Sequence, residues 1–493
     1  MAFQLIGYTS AQNESMNFEV RTDGNMLNSG GFASERSPYS TGTDRTQSAS
    51  PHVETTGSVT AATKTGSVHA DRYKIVLANY TVAAADVGNT VRVSASTDAT
   101  NAYVGMYLIV AADTTNNAWE MSQPTRSSSI DSSPATLTLR MGGALPSLGG
   151  VTDYCNPSDG DEDRVYSPST VSQIWIKSGT YTMTSTDWNT NNGPVRFNDS
   201  NMGPSIHGYE TTRGDMGEKP VIDIGSTGYS GNMLEADGGY PQIVICNIQF
   251  NTGGTADGIR MGGYAKAIAV KCKVAEIGTG KIGFEHSSSY ACEAVGGGTD
   301  GTHDGTGFNK GMTTYCVASN CDKGFDEQAP TIHHCLAYDC TQGFHSDHYG
   351  NNNGSLLFCV ADDCTTGFYI QYRSITKCVA TNCTTGFEAT SSTNQNSLNW
   401  CFGYNNTTHI DDMPMQVGWA ALAADPWENQ SGRDYRLNDA ETGGALLRSN
   451  GFPPPGQTAD VDTNAFITTK SGGGGGGTTV PQGLHSIESG INA

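Results

Sequence analysis

The chain has 493 residues, 61 of them glycine, with only 15% charged residues and a formal net charge of −22. That length is too great for one ordinary core, and such acidity, with no basic run or aromatic–basic stripe, excludes a phosphate backbone as a direct partner. No stretch of about 18 apolar residues offers a membrane span. Residues 1–8 lack a basic start and an apolar stretch of roughly 7–15 residues, so synthesis in a cytoplasm without an export signal is expected.

In chain order, residues 1–70 read as an extended polar arm rich in Ser, Thr, Asn and Gly, with almost no apolar periodicity over 32–66. Four strand-like runs follow, at 73–77, 90–94, 106–110 and 135–140, separated by Asp, Asn, Gly and Ser clusters. They predict a small all-β sandwich or barrel over 71–145. Residues 142–147 read as a linker. From about 165 to 410 a repeat takes over. A C-terminal cap is expected over 411–456, and a Gly-rich linker with a short docking tail over 457–493.

The repeat is carried by Cys316-Val317-Ala318-Ser319-Asn320-Cys321 and its copies, whose cysteine pairs are Cys335 and Cys340, Cys359 and Cys364, and Cys378 and Cys383. Each copy is followed two residues later by Gly-Phe, ending at Phe325, Phe344, Phe368 and Phe387. Looser copies begin at Cys246, Cys272, Cys292 and Cys401. The first cysteines are spaced by 26, 20, 24, 19, 24, 19 and 23 residues. A period of roughly 20–25 is one coil of a β-solenoid, and no leucine-rich frame competes with it. The first Cys and the Ala two residues later share a parity and face inward. The second Cys lies five residues on, an odd offset that demands a bend. Asn320, Asp339, Asp363 and Asn382, which tolerate the left-handed conformation, stand where the bend must be. The remaining surplus residues of the long coils follow Gly-Phe and read as loops over 346–355 and 391–397.

Thirteen cysteines could suggest disulfides or metal. Cys-x4-Cys has no zinc spacing, and a cytoplasmic product keeps thiols reduced. The expectation is an inert interior ladder with no metal and no cofactor. His333, His334, His345 and His348 form the densest histidine cluster and read as surface residues.

Three segments resemble known β-helix features. Residues 173–181, an apolar strand closing on Gly-Thr-Tyr, resemble the opening coil of pectin-lyase-like proteins. The Asn/Asp bend row resembles their asparagine ladder. Asp425-Pro426-Trp427 with Asp434-Tyr435-Arg436-Leu437 resembles the closing segment of surface β-helix proteins. The chain therefore resembles right-handed parallel β-helix proteins and, more narrowly, bacteriophage virion surface proteins of that fold. The resemblance implies an all-β chain that serves as a head decoration, fibre or tailspike subunit on the virion surface. It also implies a homotrimer touching other virion proteins, with host surface glycan as a further contact. The alternative expectation is a polysaccharide depolymerase, a glycosidase or lyase. It would use carboxylates on the outer face, Asp326, Glu388 and Glu285, with Tyr369, Tyr372, Arg373 and His345 placed to hold sugar. The residue after each repeated Phe would stack Glu285, Asn309, Asp326, His345, Tyr369 and Glu388 along that face. The signatures of polygalacturonases and pectate lyases are absent, which weighs against an enzyme.

Overall fold

The computed structural model describes residues 16–35, 37, 40–47, 52–59, 73–97, 105–121, 135–148, 151, 171–183, 205–225, 228–236, 242–261, 266–298, 302–326, 331–346, 355–371, 374–389, 396–413 and 415–452. They form three long parallel sheets of 13, 11 and 9 strands, a closed antiparallel barrel of six strands and a C-terminal hairpin. Helix among them is limited to a 3-10 turn at Ala84–Asp86, helical residues at Leu148 and Val151 and a short helix at Gly444–Ser449. This is the all-β parallel β-helix with an N-terminal β domain that the repeats predict.

One coil shows why the repeat folds this way. Thr313–Thr314 lies in the thirteen-stranded sheet, Val317–Ser319 in the eleven-stranded sheet and Lys323–Asp326 in the nine-stranded sheet. Each strand pairs in register with its equivalent one coil on: Ala318 with Ala337, Phe325 with Phe344. The inward Phe rings then stack coil on coil. Phe284, Phe308, Phe325, Phe344, Phe368 and Phe387 have centroids 4.8–4.9 Å apart and planes within 8° of parallel. That spacing is the strand spacing itself, about 4.8 Å.

The odd-offset bend is present. Asn320, Asp339, Asp363 and Asn382 have φ of 54, 52, 52 and 53°. A second left-handed corner stands directly before the first cysteine, at Lys271, Ala291, Tyr315, His334, Phe358, Lys377 and Trp400, with φ of 51–56°. Little in its composition marks it as a bend, since only Asn247 at its start and His334 are residue types enriched at positive φ. The glycine before each Phe is a contact requirement. A Cβ at Gly324 or Gly343 would lie 2.6 Å from the next coil's glycine carbonyl and 3.2 Å from an inward Ala Cβ. Gly and Ala together let the eleven- and nine-stranded sheets converge at their shared corner.

The register also corrects the ladder. Ile248, not Cys246, precedes Gln249, the partner of Lys273, and so occupies the position of Cys272. Cys246 pairs with Val270 and belongs to a small separate cluster with Val244, Ile268 and Tyr290. With Ile248 in place the coil lengths alternate from the start, 24 and 20, then 24 and 19.

The N-terminal segment departs from the expected polar arm. Met16–Val20 is wholly buried and pairs in parallel with Val171–Lys177, so it is a strand of the thirteen-stranded sheet. Gly31–Ala33 pairs with it at the sheet's edge. His52–Val59 joins the barrel, paired with Ala135–Gly142 along its length. Two aliphatic residues in eight leave no periodicity to read there. The expected linker is a packed junction: Gly142 and Gly143 carbonyls accept from Ser29 and Gly30, and Leu145 is fully buried. Leu108 and Val110 of the barrel join the solenoid core with Leu145, Leu148 and Val151. The barrel thereby covers the solenoid's N-terminal end.

The C-terminal segment packs on a flank, not over an end. The coils continue through Ala420–Ala421, beyond the expected limit at 410. The hairpin of Trp427–Asn429 and Asp434–Leu437 then turns back with the Gly444–Ser449 helix. Together they bury Trp427, Tyr435, Leu437, Leu447 and Phe452 against Leu336, Val360, Val379 and Phe402 of the eleven-stranded sheet. Buried Asp362 anchors the contact, accepting from Tyr435 Oη at 2.6 Å, from Thr381 and from Gln430. The loop segments expected around 347–354 and 391–395 lie outside the described residues, as does the tail over 457–493.

Candidate functional site

The outward row of the nine-stranded sheet places one polar side chain per coil in a line. Register fixes its order as Arg260, Glu285, Asn309, Asp326, His345, Tyr369, Glu388 and Asp411. Six of these stand in the expected stack. Arg260 and Asp411 extend it at the two ends.

The row divides into three environments. At its start Glu285 pairs with Arg260 Nε at 3.2 Å and has His286 Nε2 at 3.8 Å. In the middle Asp326 is buried. It accepts from His345 Nδ1 at 2.5 Å and from Lys323 Nζ at 3.3 Å. Burial pushes the Asp326 carboxyl up, but the His345 hydrogen bond and charge and the Lys323 ammonium outweigh it. The net pKa lies below the ordinary 3.8. Both groups are thus spent on each other. At the far end Tyr369 stacks flat on His345, with centroids 5.3 Å apart and planes 2° from parallel. One coil on, Glu388 has its pKa raised from 4.5 by burial first and then by the charges of Asp411 and Asp412, against a hydrogen bond from Thr366 Oγ1 at 3.3 Å.

Glu388 and Asp411 therefore form a pair of carboxylates on adjacent strands beside a half-buried aromatic ring. Adjacent strands are about 4.8 Å apart. Side chains rooted one strand spacing apart can bring their carboxyls to the roughly 5–5.5 Å of a retaining arrangement of acid and nucleophile. The raised Glu388 pKa suits the acid. Among the described residues neither carboxylate forms an ion pair with a basic side chain. Asp411 escapes sequence reading because its coil replaces Gly-Phe with His409-Ile410, which hides the repeat. Tyr372 and Arg373 lie outside the described residues.

The cysteines take no part in this face. Cys272, Cys292, Cys316, Cys335, Cys359, Cys378 and Cys401 follow the corner that begins at Lys271, and Cys321, Cys340, Cys364 and Cys383 follow the Asn/Asp bend. All are buried and free. Their thiols donate to backbone carbonyls, as Cys316 does to Ser289 at 3.4 Å. Burial pushes the Cys340 and Cys364 thiols well up, away from the reactive thiolate. Among the described residues no three His, Cys, Asp or Glu side chains are grouped to hold a metal. His333 and His345 sit on different sheets.

No family model and no curated protein sequence matches the chain. Among solved structures it is similar to a rhamnogalacturonan lyase at 13% identity, covering 62% of this chain and 94% of that one, with a TM-score of 0.39. It is also similar to the catalytic domain of a GH87 α-1,3-glucanase in complex with tetrasaccharides, at 9% identity, 77% and 91% coverage and a TM-score of 0.25. No residue of the present site is assigned from either likeness.

Proposed function

We propose that the accessible end of the nine-stranded sheet's outward row, Tyr369, Glu388 and Asp411, binds a polysaccharide and hydrolyses it, with Glu388 as general acid, Asp411 as nucleophile and Tyr369 as a stacking platform. The observation that carries this reading is the Glu388–Asp411 pair, two carboxylates on adjacent coils whose environments set their roles apart. Asp326 and Glu285, tied to His345 and Arg260, hold the row together instead.

The test is incubation of the purified protein with neutral and acidic polysaccharides, reading reducing ends and unsaturated-sugar absorbance in the same tube. Saturable release of reducing ends without that absorbance, reduced at least about 100-fold by Glu388→Gln, is the expected result. Binding without cleavage would leave the row an adhesive surface and favour the rival reading, a structural or adhesive subunit on a bacteriophage particle. Neither binding nor cleavage would leave that structural role alone.

A further inference from the structure

The two ends of the solenoid are finished differently. Barrel residues Leu108 and Val110 enter the core at the N-terminal end. At the other end Thr408–Asp411, Met415–Val417 and Ala420–Ala421 are the last strands of their sheets, each with one edge unpaired among the described residues. The inward column of Ile332, Leu356, Ile375 and Leu398 ends on Gln416, which is exposed. Trp400, Met415 and Val417 are 49, 57 and 51% exposed, a contiguous apolar patch on the last two coils. The buried Trp419 Nε1–H has no acceptor among the described residues. Open parallel edges with apolar surface are a liability that solenoids cover.

The chain leaves the described residues beside this patch. Phe452 packs edge-on against Phe358 at 6.1 Å, and the Gly451 carbonyl accepts from Lys377 Nζ at 3.1 Å. Phe358, Lys377 and Trp400 are successive members of one left-handed corner row. Trp400 is thus two coils from Phe358, about 10 Å along the ridge at strand spacing. Pro453, Pro454 and Pro455 follow at once. Three prolines extend about 9 Å in a polyproline conformation, which docks on aromatic faces. Beyond them Asn464-Ala465-Phe466-Ile467-Thr468-Thr469 has the composition of a strand.

We propose that the segment after Phe452 closes the C-terminal end of its own solenoid, with Pro453, Pro454 and Pro455 laid toward the open face of Trp400 and residues 464–469 covering the edge at Met415 and Val417. Hydrogen exchange on the full chain and on a chain ending at Phe452 tests it. The expected result is exchange at Met415, Gln416 and Val417 at least about tenfold faster in the shortened chain, with the strand Thr366–Ile370 unchanged. Trp400→Ser in the full chain should release the same amides, so the outcome does not hang on the shortened chain folding. Equal protection in full and shortened chains overturns the proposal. Protection that depends on concentration, with a doubled mass, also overturns it and makes a second copy the cover.

Discussion

Ala291 and Phe358 occupy the same left-handed corner in different coils, with φ of 52 and 55°, yet glycine should affect them in opposite ways. At Ala291 it removes a strain of about 1–2 kcal/mol against a smaller entropic loss, so Ala291→Gly should raise stability by about 0.5–1 kcal/mol. Phe358 repays its strain by stacking on His334 at 5.0 Å, under Lys377 at 5.6 Å and against Phe452. Phe358→Gly should therefore lose about 2 kcal/mol. Urea unfolding of both variants measures the contrast. Asp326 makes a prediction about acid. Its folded pKa lies below the ordinary 3.8. It therefore contributes stability above that value, and the contribution is lost as pH falls through the folded pKa. Asp326→Asn should flatten the acid limb of stability against pH and leave its shape at neutral pH unchanged. Asp412→Asn tests the other end of the row. Asp412 already has φ of 52°, which Asn tolerates, and its charge helps raise Glu388. Removing that charge should move the alkaline limb of kcat/KM to lower pH, because the general acid then ionises sooner.

At the scale of the strand, Gly343→Ala drives a methyl to 2.6 Å from a backbone carbonyl that cannot move without breaking register. The variant should be destabilised by at least about 2 kcal/mol, read as a fall in the denaturation midpoint. The hairpin that packs on Leu336, Val360, Val379 and Phe402 depends on the Tyr435–Asp362 hydrogen bond. Burial raises the Asp362 carboxyl against four donors, Tyr435, Thr381, Gln430 and Asn382. Tyr435→Phe should speed amide exchange over Asp434–Leu437 while the inner coils stay protected. How much of this is legible in the chain depends on what each element uses to hold itself. The coils from 316 to 387 can be read because Cys, Ala, Asn or Asp, Gly and Phe each meet a requirement that no other residue type meets as well. Asp411 cannot be, because His409 and Ile410 fill the Gly and Phe places in a coil whose inner neighbours have run out. The corner before the first cysteine is silent because its residues are chosen for stacking, and the register of Cys246 is silent because Ile248 fills the cysteine position. Glu388 and Tyr369 were visible; that Asp326 and Glu285 are engaged elsewhere needed the packing.

Over the whole molecule Glu19, Asp44, Arg45 and Thr46 bind the solenoid and the barrel together through buried charge. Arg213, on the solenoid, donates to Glu19 of the first strand at 2.8 Å, to Asp44 at 2.7 Å and to Thr46 at 2.7 Å. Arg45 reaches Asp86 of the barrel, which also accepts from Trp119 Nε1 at 3.0 Å. No periodic pattern announces such pairs, because each partner comes from a different part of the chain. The polar row of the nine-stranded sheet is buried at Asn309, Asp326 and His345 and accessible at Tyr369, Glu388 and Asp411, and the proposed function rests on the pairing of the last two carboxylates. The most direct measurement is proton NMR of the first sugar released from a cleaved polysaccharide. Carboxylates on adjacent coils predict a product that keeps the anomeric configuration of the bond broken. An inverted product, an unsaturated one, or a polysaccharide left intact would contradict the assignment of Glu388 and Asp411.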